Sequence, residues 1–196
     1  MGVFVTMRIG LFGGTFDPVH SGHLEMARLA RITCHLDRIV FIPCQQSPFK
    51  SRATVASGKD RSEMLRLALR DKGFHHWAEV SELELERPGP SYSWETVQAM
   101  ALEYPGARLF WIMGGDQWLS LGNWARADYL ADHLEFIVFA RDNVPLVAHY
   151  RFRGQLIPFD RPESATLIRQ GKWDQDWLTP ATVQYIQEHR LYPSFS

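Results

Sequence analysis

Short apolar runs alternate along this chain with segments in which apolar residues recur at helical spacing. The apolar runs predict strands over residues 7–12, 38–42, 108–113 and 134–140, a weaker strand over 78–85 and a short one over 155–159. The amphipathic segments predict helices over residues 21–33, 60–70, 93–103, 164–170 and 179–188. Asp60 is expected to cap the second helix, with Glu63 closing a capping box, and Pro180 suits the first position of the last helix.

This alternation predicts an α/β fold in which helices cover both faces of a parallel sheet. Right-handed crossovers favour a doubly wound, Rossmann-like sheet with a strand order like 3-2-1-4-5. In that order the first and fourth strands lie side by side, at the point where such sheets bind ligands. Both strands end in a glycine pair, Gly13-Gly14 and Gly114-Gly115. Two backbones without side chains would therefore flank one crevice.

Length and composition indicate an ordinary globular protein. The 196 residues fit a single domain over 1–196, with a core from about residue 7 to residue 192 and a short N-terminal extension at 1–6. A net charge of −1 without a basic run argues against a nucleic-acid partner. No apolar stretch reaches the roughly 18 residues that span a membrane, and the N-terminus lacks the charged region and cleavage site of a signal peptide. Cys34 and Cys44 have no disulfide-framework or metal-ligand spacing, which favours reduced thiols and a cytoplasmic location.

The stretch GGTFDPVHSGH, residues 13–23, joins the first strand to the first helix. Gly13 and Gly14 can take positive φ and let a ligand approach the backbone, while Asp17-Pro18 stiffens the turn. The helix N-terminus that follows has unpaired N–H groups that bind anions. His20 and His23 share a face there, and their ring N–H groups can donate to phosphate oxygens. The stretch is interpreted as a cradle for a polyphosphate.

Other interpretations of the stretch are weaker. A glycine-rich turn between a strand and a helix is often only a tight turn, and the two histidines could bind a metal, but no third ligand is offered nearby. The stretch contains neither G-x-G-x-x-G nor a glycine-rich loop ending in Gly-Lys-Ser/Thr. Dehydrogenase and P-loop interpretations are therefore rejected.

A second stretch, SATLIRQG at residues 164–171, contains residue types that could hold a phosphate. Ser164 can cap a helix, and Thr166 and Arg169 lie on one face of it, where the planar guanidinium suits phosphate. Taken alone, an ordinary capped surface helix would explain this segment better. Its pairing with the first stretch makes that explanation the weaker one.

The two segments together carry a family resemblance. His20-Ser21-Gly22-His23 resembles the signature of the HxGH nucleotidyltransferase superfamily, and GGTFDPVHxGH resembles the bacterial nicotinate-nucleotide adenylyltransferases. Residues 164–169 resemble the superfamily's S-[SA]-T-x-x-R element, and the resemblance extends from about residue 7 to residue 192. It implies transfer of the adenylyl group of ATP to nicotinate mononucleotide, giving deamido-NAD and pyrophosphate in NAD biosynthesis. It also implies Mg²⁺ carried by the ATP phosphates, without a direct side-chain ligand.

The resemblance assigns roles to individual residues. The implied catalytic residues are His20, His23 and Arg169. The implied ATP- and phosphate-binding residues are Gly13, Gly14, Thr15, Phe16, Ser164, Thr166 and Lys50. The implied residues for nicotinate mononucleotide are Tyr92, Ser93, Asp116 and Trp124, with Trp118 as a competing candidate for stacking on the pyridine ring. The chain departs from the family pattern at Ser93, where a threonine is usual, at Phe49, where a histidine is usual, and at Glu163, where an apolar residue is usual.

Several alternatives stay open at this point. The acceptor could be nicotinamide mononucleotide or another phosphate such as pantetheine phosphate. A nucleotide-binding sensor without turnover would have lost one phosphate-binding segment, yet His20, His23 and Arg169 are all present. The expected partners are the small-molecule substrates, with no nucleic acid and no membrane. The sequence leaves the oligomeric state open, a homo-oligomer included.

Overall fold

The computed structural model describes residues 6–48, 53–140 and 151–195. Its strands are β1 Arg8–Gly14, β2 Arg38–Pro43, β3 Ala78–Val80, β4 Arg108–Gly114, β5 Leu134–Ala140 and β6 Gly154–Pro158. Its helices are α1 Ser21–Thr33, α2 Gly58–Asp71, α3 Ser93–Glu103, α4 Gly115–Ser120, α5 Ala127–His133, α6 Ala165–Arg169 and α7 Pro180–His189. The strands pair in parallel in the order β3-β2-β1-β4-β5-β6. The predicted α/β fold and strand order are confirmed, with β6 added at one edge.

Two apolar layers hold the helices against the sheet, because successive strand residues point to opposite faces. On β4, Phe110 and Ile112 face the layer that contains buried residues of α1, α2, α6 and α7. Trp111 and Met113 face the layer that contains buried residues of α3, α4 and α5. The central strands are therefore buried on both sides, which explains their nearly continuous apolar sequence. None of the helices in the described parts of the chain is long and apolar enough to cross a membrane.

The start of α2 differs from the prediction. The helix begins at Gly58 and its N-cap is Ser57, whose hydroxyl accepts a hydrogen bond from the N–H of Asp60 at 3.1 Å. Asp60 is thus in the first turn, and the predicted capping box with Glu63 is wrong. Ser57 takes this role because it adopts the extended conformation that an N-cap requires. Pro180 does occupy the first turn of α7, as predicted.

Two further predictions are wrong in the middle of the chain. The strand predicted over 78–85 ends at Val80, and the chain then turns away from the sheet, so that Leu83 packs into a core layer without strand pairing. Helices α4 and α5 are missing from the prediction, because six and seven residues are too few to establish a helical period. They fill the connection between β4 and β5.

The order of the strands reverses at β1, which pairs with β2 on one side and β4 on the other. The β1–β4 ladder ends at Leu11 and Trp111, so the two strands separate before their glycine pairs. A β-carbon at Gly13 would lie 2.8 Å from the Trp111 ring, and one at Gly14 would lie 2.8 Å from the Phe16 ring. The expected positive φ at these glycines is wrong, since the left-handed residue of the loop is Phe16, with φ of 49°. Glycine is needed at both positions because an aromatic ring occupies the space that a β-carbon would take.

Candidate active site

A cleft of about 850 Å³ opens at the carboxyl ends of β1 and β4, where doubly wound sheets bind ligands. It is lined by most of the predicted site residues: Gly13, Gly14, Thr15, Phe16, His20, His23, Tyr92, Ser93, Asp116, Trp124, Ser164, Thr166 and Arg169. The remaining one, Lys50, lies outside the described residues, as does Phe49. The structure therefore brings together residues from four separate segments of the chain.

His20 and His23 lie against each other at the N-terminus of α1, with ring centroids 3.7 Å apart. The N–H of His20 donates to Nδ1 of His23 at 3.3 Å. Because Nδ1 accepts this bond, a neutral His23 ring carries its proton on Nε2. Burial lowers the pKa of His20 to about 4, against the opposing effect of the Glu163 charge, so His20 is neutral at pH 7. Each ring can then offer one N–H donor to an anion.

Arg169 connects the two predicted phosphate-binding segments. Its guanidinium donates to Oγ1 of Thr166 at 3.1 Å and to the main-chain carbonyl of Asp17, in the loop after β1. Thr166 and Arg169 therefore share one face of α6, as predicted. Ser164 holds the N-cap position of α6, but its side chain makes no capping hydrogen bond, so that part of the prediction is wrong. Ser164 lines the cleft instead.

Asp17 has a larger role than the stiffening of a turn that its sequence context indicated. Its side chain is only 4% exposed and accepts three hydrogen bonds: from the N–H groups of Val55 and Ala56 at 2.8 and 3.1 Å, and from the hydroxyl of Tyr192 at 2.8 Å. Burial, together with the adjacent Asp17, raises the pKa of Tyr192 well above its usual range. One carboxylate thus fastens the loop after β1 to the segment before α2 and to the C-terminal segment.

Arg61 is a second residue that the sequence analysis missed. It is 1% exposed, and its guanidinium donates to the carbonyls of Thr15 and Cys44 at 2.7 and 2.8 Å. It thereby holds the loop after β1 beside the loop after β2, and both loops line the cleft. One signal was available in the sequence: Arg61 precedes Leu65 by four residues and so lies on the apolar face of α2, where an arginine is unusual.

The other side of the cleft is formed by α3 and the segment after β4. Tyr92 is the N-cap of α3 and Ser93 its first residue. Trp124 lines the cleft and lies edge-on to Trp111, with ring centroids 6.3 Å apart. The competing Trp118 packs against Phe136 and does not line the cleft.

Asp116, also predicted to face this crevice, folds back over the end of β4. A β-carbon at Gly114 would lie 2.7 Å from Oδ1 of Asp116. The carboxylate is exposed at the edge of the cleft. In the described parts of the chain, no group of three or more histidine, cysteine, aspartate or glutamate side chains is arranged to hold a metal ion.

Glu163, which departs from the family pattern, connects α1 to the segment before α6. Its side chain is 2% exposed, accepts a hydrogen bond from the Ser21 hydroxyl at 2.9 Å and forms an ion pair with Arg161. Burial raises the pKa of Glu163, but the hydrogen bonds from Arg161 and Ser21 outweigh it, and the net pKa is below the usual value. A negative charge therefore stands beside the histidine pair.

Comparison with known proteins agrees with this geometry. Residues 11–181 match the family described as cytidylyltransferase-like. A probable nicotinate-nucleotide adenylyltransferase of Methylacidiphilum infernorum is 39% identical over 195 residues, covering 95% of this chain and 93% of the relative. The nicotinate-nucleotide adenylyltransferase of Bacillus subtilis is 37% identical over 194 residues, covering 95% of this chain and 99% of the relative.

The fold also matches solved structures. The nicotinic acid mononucleotide adenylyltransferase of Plasmodium falciparum, solved in complex with APC and with NaAD, superposes with a TM-score of 0.77 at 17% identity. The match covers 95% of this chain and 97% of that one. At this level of identity the likeness shows a shared fold.

Proposed function

The chain belongs to the cytidylyltransferase-like family, in which it groups with nicotinate-nucleotide adenylyltransferases, and we propose that it adenylylates nicotinate mononucleotide with ATP. The products are deamido-NAD and pyrophosphate, in a step of NAD biosynthesis. The observation that supports this proposal is the bond from Arg169 to the Asp17 carbonyl, which joins the two segments predicted to bind phosphate at one cleft. Tyr92, Ser93 and Trp124 line the other side of that cleft and suit the acceptor.

The reaction requires no nucleophile from the protein. An oxygen of the acceptor phosphate forms a bond to the α-phosphorus of ATP. The bond from that phosphorus to the oxygen that bridges to the β-phosphate breaks, and pyrophosphate leaves with the electron pair. Catalysis then consists of positioning the two phosphates and stabilising the charge on their oxygens.

We propose that the hydrogen-bond donors of the cleft stabilise this charge. His20 and His23 donate to the triphosphate, with His23 nearest the reacting phosphate, and its Nε2–H is oriented by the bond that Nδ1 accepts. Ser164, Thr166 and Arg169 hold the β- and γ-phosphates and so stabilise the leaving group. Gly13, Gly14, Thr15 and Phe16 provide the backbone wall, and Lys50 remains a predicted phosphate ligand.

Mg²⁺ is proposed to enter with ATP. The donor set suits this, because the cleft lining combines imidazole, hydroxyl and guanidinium groups with few accessible carboxylates. Mg²⁺ commonly keeps several waters and binds phosphate oxygens in such sites, which neutralises part of the triphosphate charge. A cytoplasmic location likewise stays a prediction.

The test is a paired assay with ATP, Mg²⁺ and either nicotinate or nicotinamide mononucleotide, in which the dinucleotide product is resolved by chromatography. We expect product mainly from the nicotinate form. Comparable product from both would retain the chemistry and reject a carboxylate-selective pocket. No dinucleotide from either would reject the proposed function and direct the search to other phosphate acceptors or to a binding role.

A further inference from the structure

Glu84 is a buried carboxyl group that the proposed reaction does not use. It is 4% exposed and nevertheless lines the cleft, on the side formed by α3. The chain reaches this position by leaving the sheet after Val80, which turns Glu84 inward. A buried acidic side chain is costly unless its oxygens are hydrogen-bonded, so its partners indicate its role.

The hydrogen bonds of Glu84 all lead to the start of α3. The Thr96 hydroxyl donates to Oε1 of Glu84 at 2.5 Å and accepts from the Arg87 guanidinium at 2.9 Å. Ser91 also hydrogen-bonds the Glu84 side chain. The carboxyl group therefore ties the first turn of α3 to the segment that precedes the helix.

The same network reaches the loop after β2. The hydroxyl of Ser91 accepts from the N–H of Gln45 at 3.0 Å, and the N–H of Ser91 donates to the carbonyl of Gln46 at 2.9 Å. Glu84, through Ser91, thus connects two walls of the cleft. Displacement of Glu84 would remove the carboxyl group that joins Thr96 to Ser91, and with it the tie between the first turn of α3 and this network.

The position of this helix end matters more for one acceptor than for the other. The first N–H groups of a helix have no intrahelical partner and, with the helix dipole, favour an anion. The carboxylate of nicotinate mononucleotide would therefore bind more tightly at this helix end, whereas the neutral amide of nicotinamide mononucleotide would be stabilised much less. Rotation of the first turn away from the cleft would therefore weaken the binding of the nicotinate form selectively.

We propose that Glu84 is a positioning residue that sets the preference for a carboxylate-bearing acceptor, by holding the first turn of α3 against the cleft through Thr96 and Ser91. The inference rests on the proposed function. Burial raises the pKa of Glu84, although the hydrogen bonds from Thr96 and Ser91 oppose this. Glu84→Gln retains an oxygen that can accept from the Thr96 hydroxyl, so it should preserve most of the preference.

The experiment measures kcat and KM for both mononucleotides at saturating ATP, and KM for ATP, in Glu84→Ala, Glu84→Gln and Thr96→Val. In Glu84→Ala we expect kcat/KM for the nicotinate form to fall by about tenfold, mainly through KM, as for the loss of one well-oriented hydrogen bond. In the same variant, kcat/KM for the nicotinamide form and KM for ATP should change by less than about threefold. Glu84→Gln should retain most of the wild-type kcat/KM for the nicotinate form. Glu86→Ala, in the same turn but exposed, is the matched control and should behave as the wild type.

Thr96→Val provides a second approach if Glu84→Ala folds poorly. It should shift the acceptor ratio in the same direction, and its effect should not add to that of Glu84→Ala, because both act on one network. An equal loss with both acceptors, or an unchanged ratio in folded variants, would overturn the inference. If the wild type makes no dinucleotide from either acceptor, the proposed function fails instead. Calorimetric binding of nicotinate mononucleotide to wild type and Glu84→Ala then tests the positioning role, and equal affinities would reject it.

Discussion

Replacing Asp17 by Asn tests whether one buried carboxylate holds the cleft together. Asp17 accepts hydrogen bonds from Val55, Ala56 and Tyr192, the last of these 175 residues later in the chain. An asparagine has the same shape but only one acceptor oxygen. In its best orientation that oxygen keeps the bonds that Oδ1 now accepts from Ala56 and Tyr192, and its amide group faces the N–H of Val55.

The cost follows from these contacts. Leaving the N–H of Val55 without an acceptor costs about 1–3 kcal/mol. The two remaining bonds lose the assistance of a charged acceptor, which adds roughly 1 kcal/mol. We therefore expect Asp17→Asn to lower the free energy of unfolding by about 2–4 kcal/mol, a large part of the stability of a typical domain. Tyr192→Phe, which removes one of the three bonds, should cost about 1.5–3 kcal/mol.

The assay is equilibrium unfolding in urea, followed by tryptophan fluorescence and far-UV circular dichroism. Asp128→Asn is the matched control, since Asp128 forms an exposed ion pair with Arg151. This substitution should change the free energy of unfolding by less than about 1 kcal/mol. The double variant of Asp17 and Tyr192 should be destabilised by less than the sum of the single effects. A loss below about 0.5 kcal/mol in Asp17→Asn, within the range of surface substitutions, would refute this reasoning.

Three other predictions concern the side of the cleft that we assign to the phosphates. His23→Ala should lower kcat on the order of 100-fold with little change in melting temperature, and a variant unfolded at the assay temperature would contradict it. The pKa of His20 falls from 6.5 to about 4 on folding. As the pH is lowered, the His20 ring of the unfolded state is therefore protonated at a higher pH than the ring of the folded state. The free energy of unfolding should drop by roughly 3 kcal/mol as the pH falls from 6.5 to 4. Urea unfolding measured across this pH range should show a much smaller drop in His20→Asn. Glu163→Gln keeps an acceptor for Ser21 but removes a negative charge beside the triphosphate, so KM for ATP should fall by about twofold to fivefold; an unchanged or higher KM would contradict this.

The regular elements with strong local signals were predictable from the sequence. The bounds of α1, α3 and β5 agree with their predictions, since each combines a clear period with a recognisable start. The strand order also followed from the alternation of elements, because parallel crossovers allow few arrangements. The prediction failed over residues 78–85, where Leu83 and Leu85 extend the apolar pattern although the chain has left the sheet. Local periodicity does not report whether a neighbouring strand is there to pair.

The local grouping of the proposed phosphate ligands was predictable for a similar reason. His20 and His23 lie in one contiguous loop between a strand and a helix, and Thr166 and Arg169 in one short helix. In both places the donors are grouped by the local backbone, so a short stretch of sequence contains the whole arrangement. That the two segments meet is shown only by the tertiary structure, in which Arg169 donates to the Asp17 carbonyl.

The buried polar groups that hold the cleft in shape were decided only by the tertiary structure. The partners of Asp17, Arg61 and Glu84 come from other elements, up to 175 residues away in the chain. A buried charge is stable only where folding supplies hydrogen bonds that replace its lost hydration, and no local pattern encodes that exchange. The sequence by itself thus determined the sheet, its switch point and the groups that we propose contact phosphate. Only the packed molecule decided which buried side chains keep those groups in place.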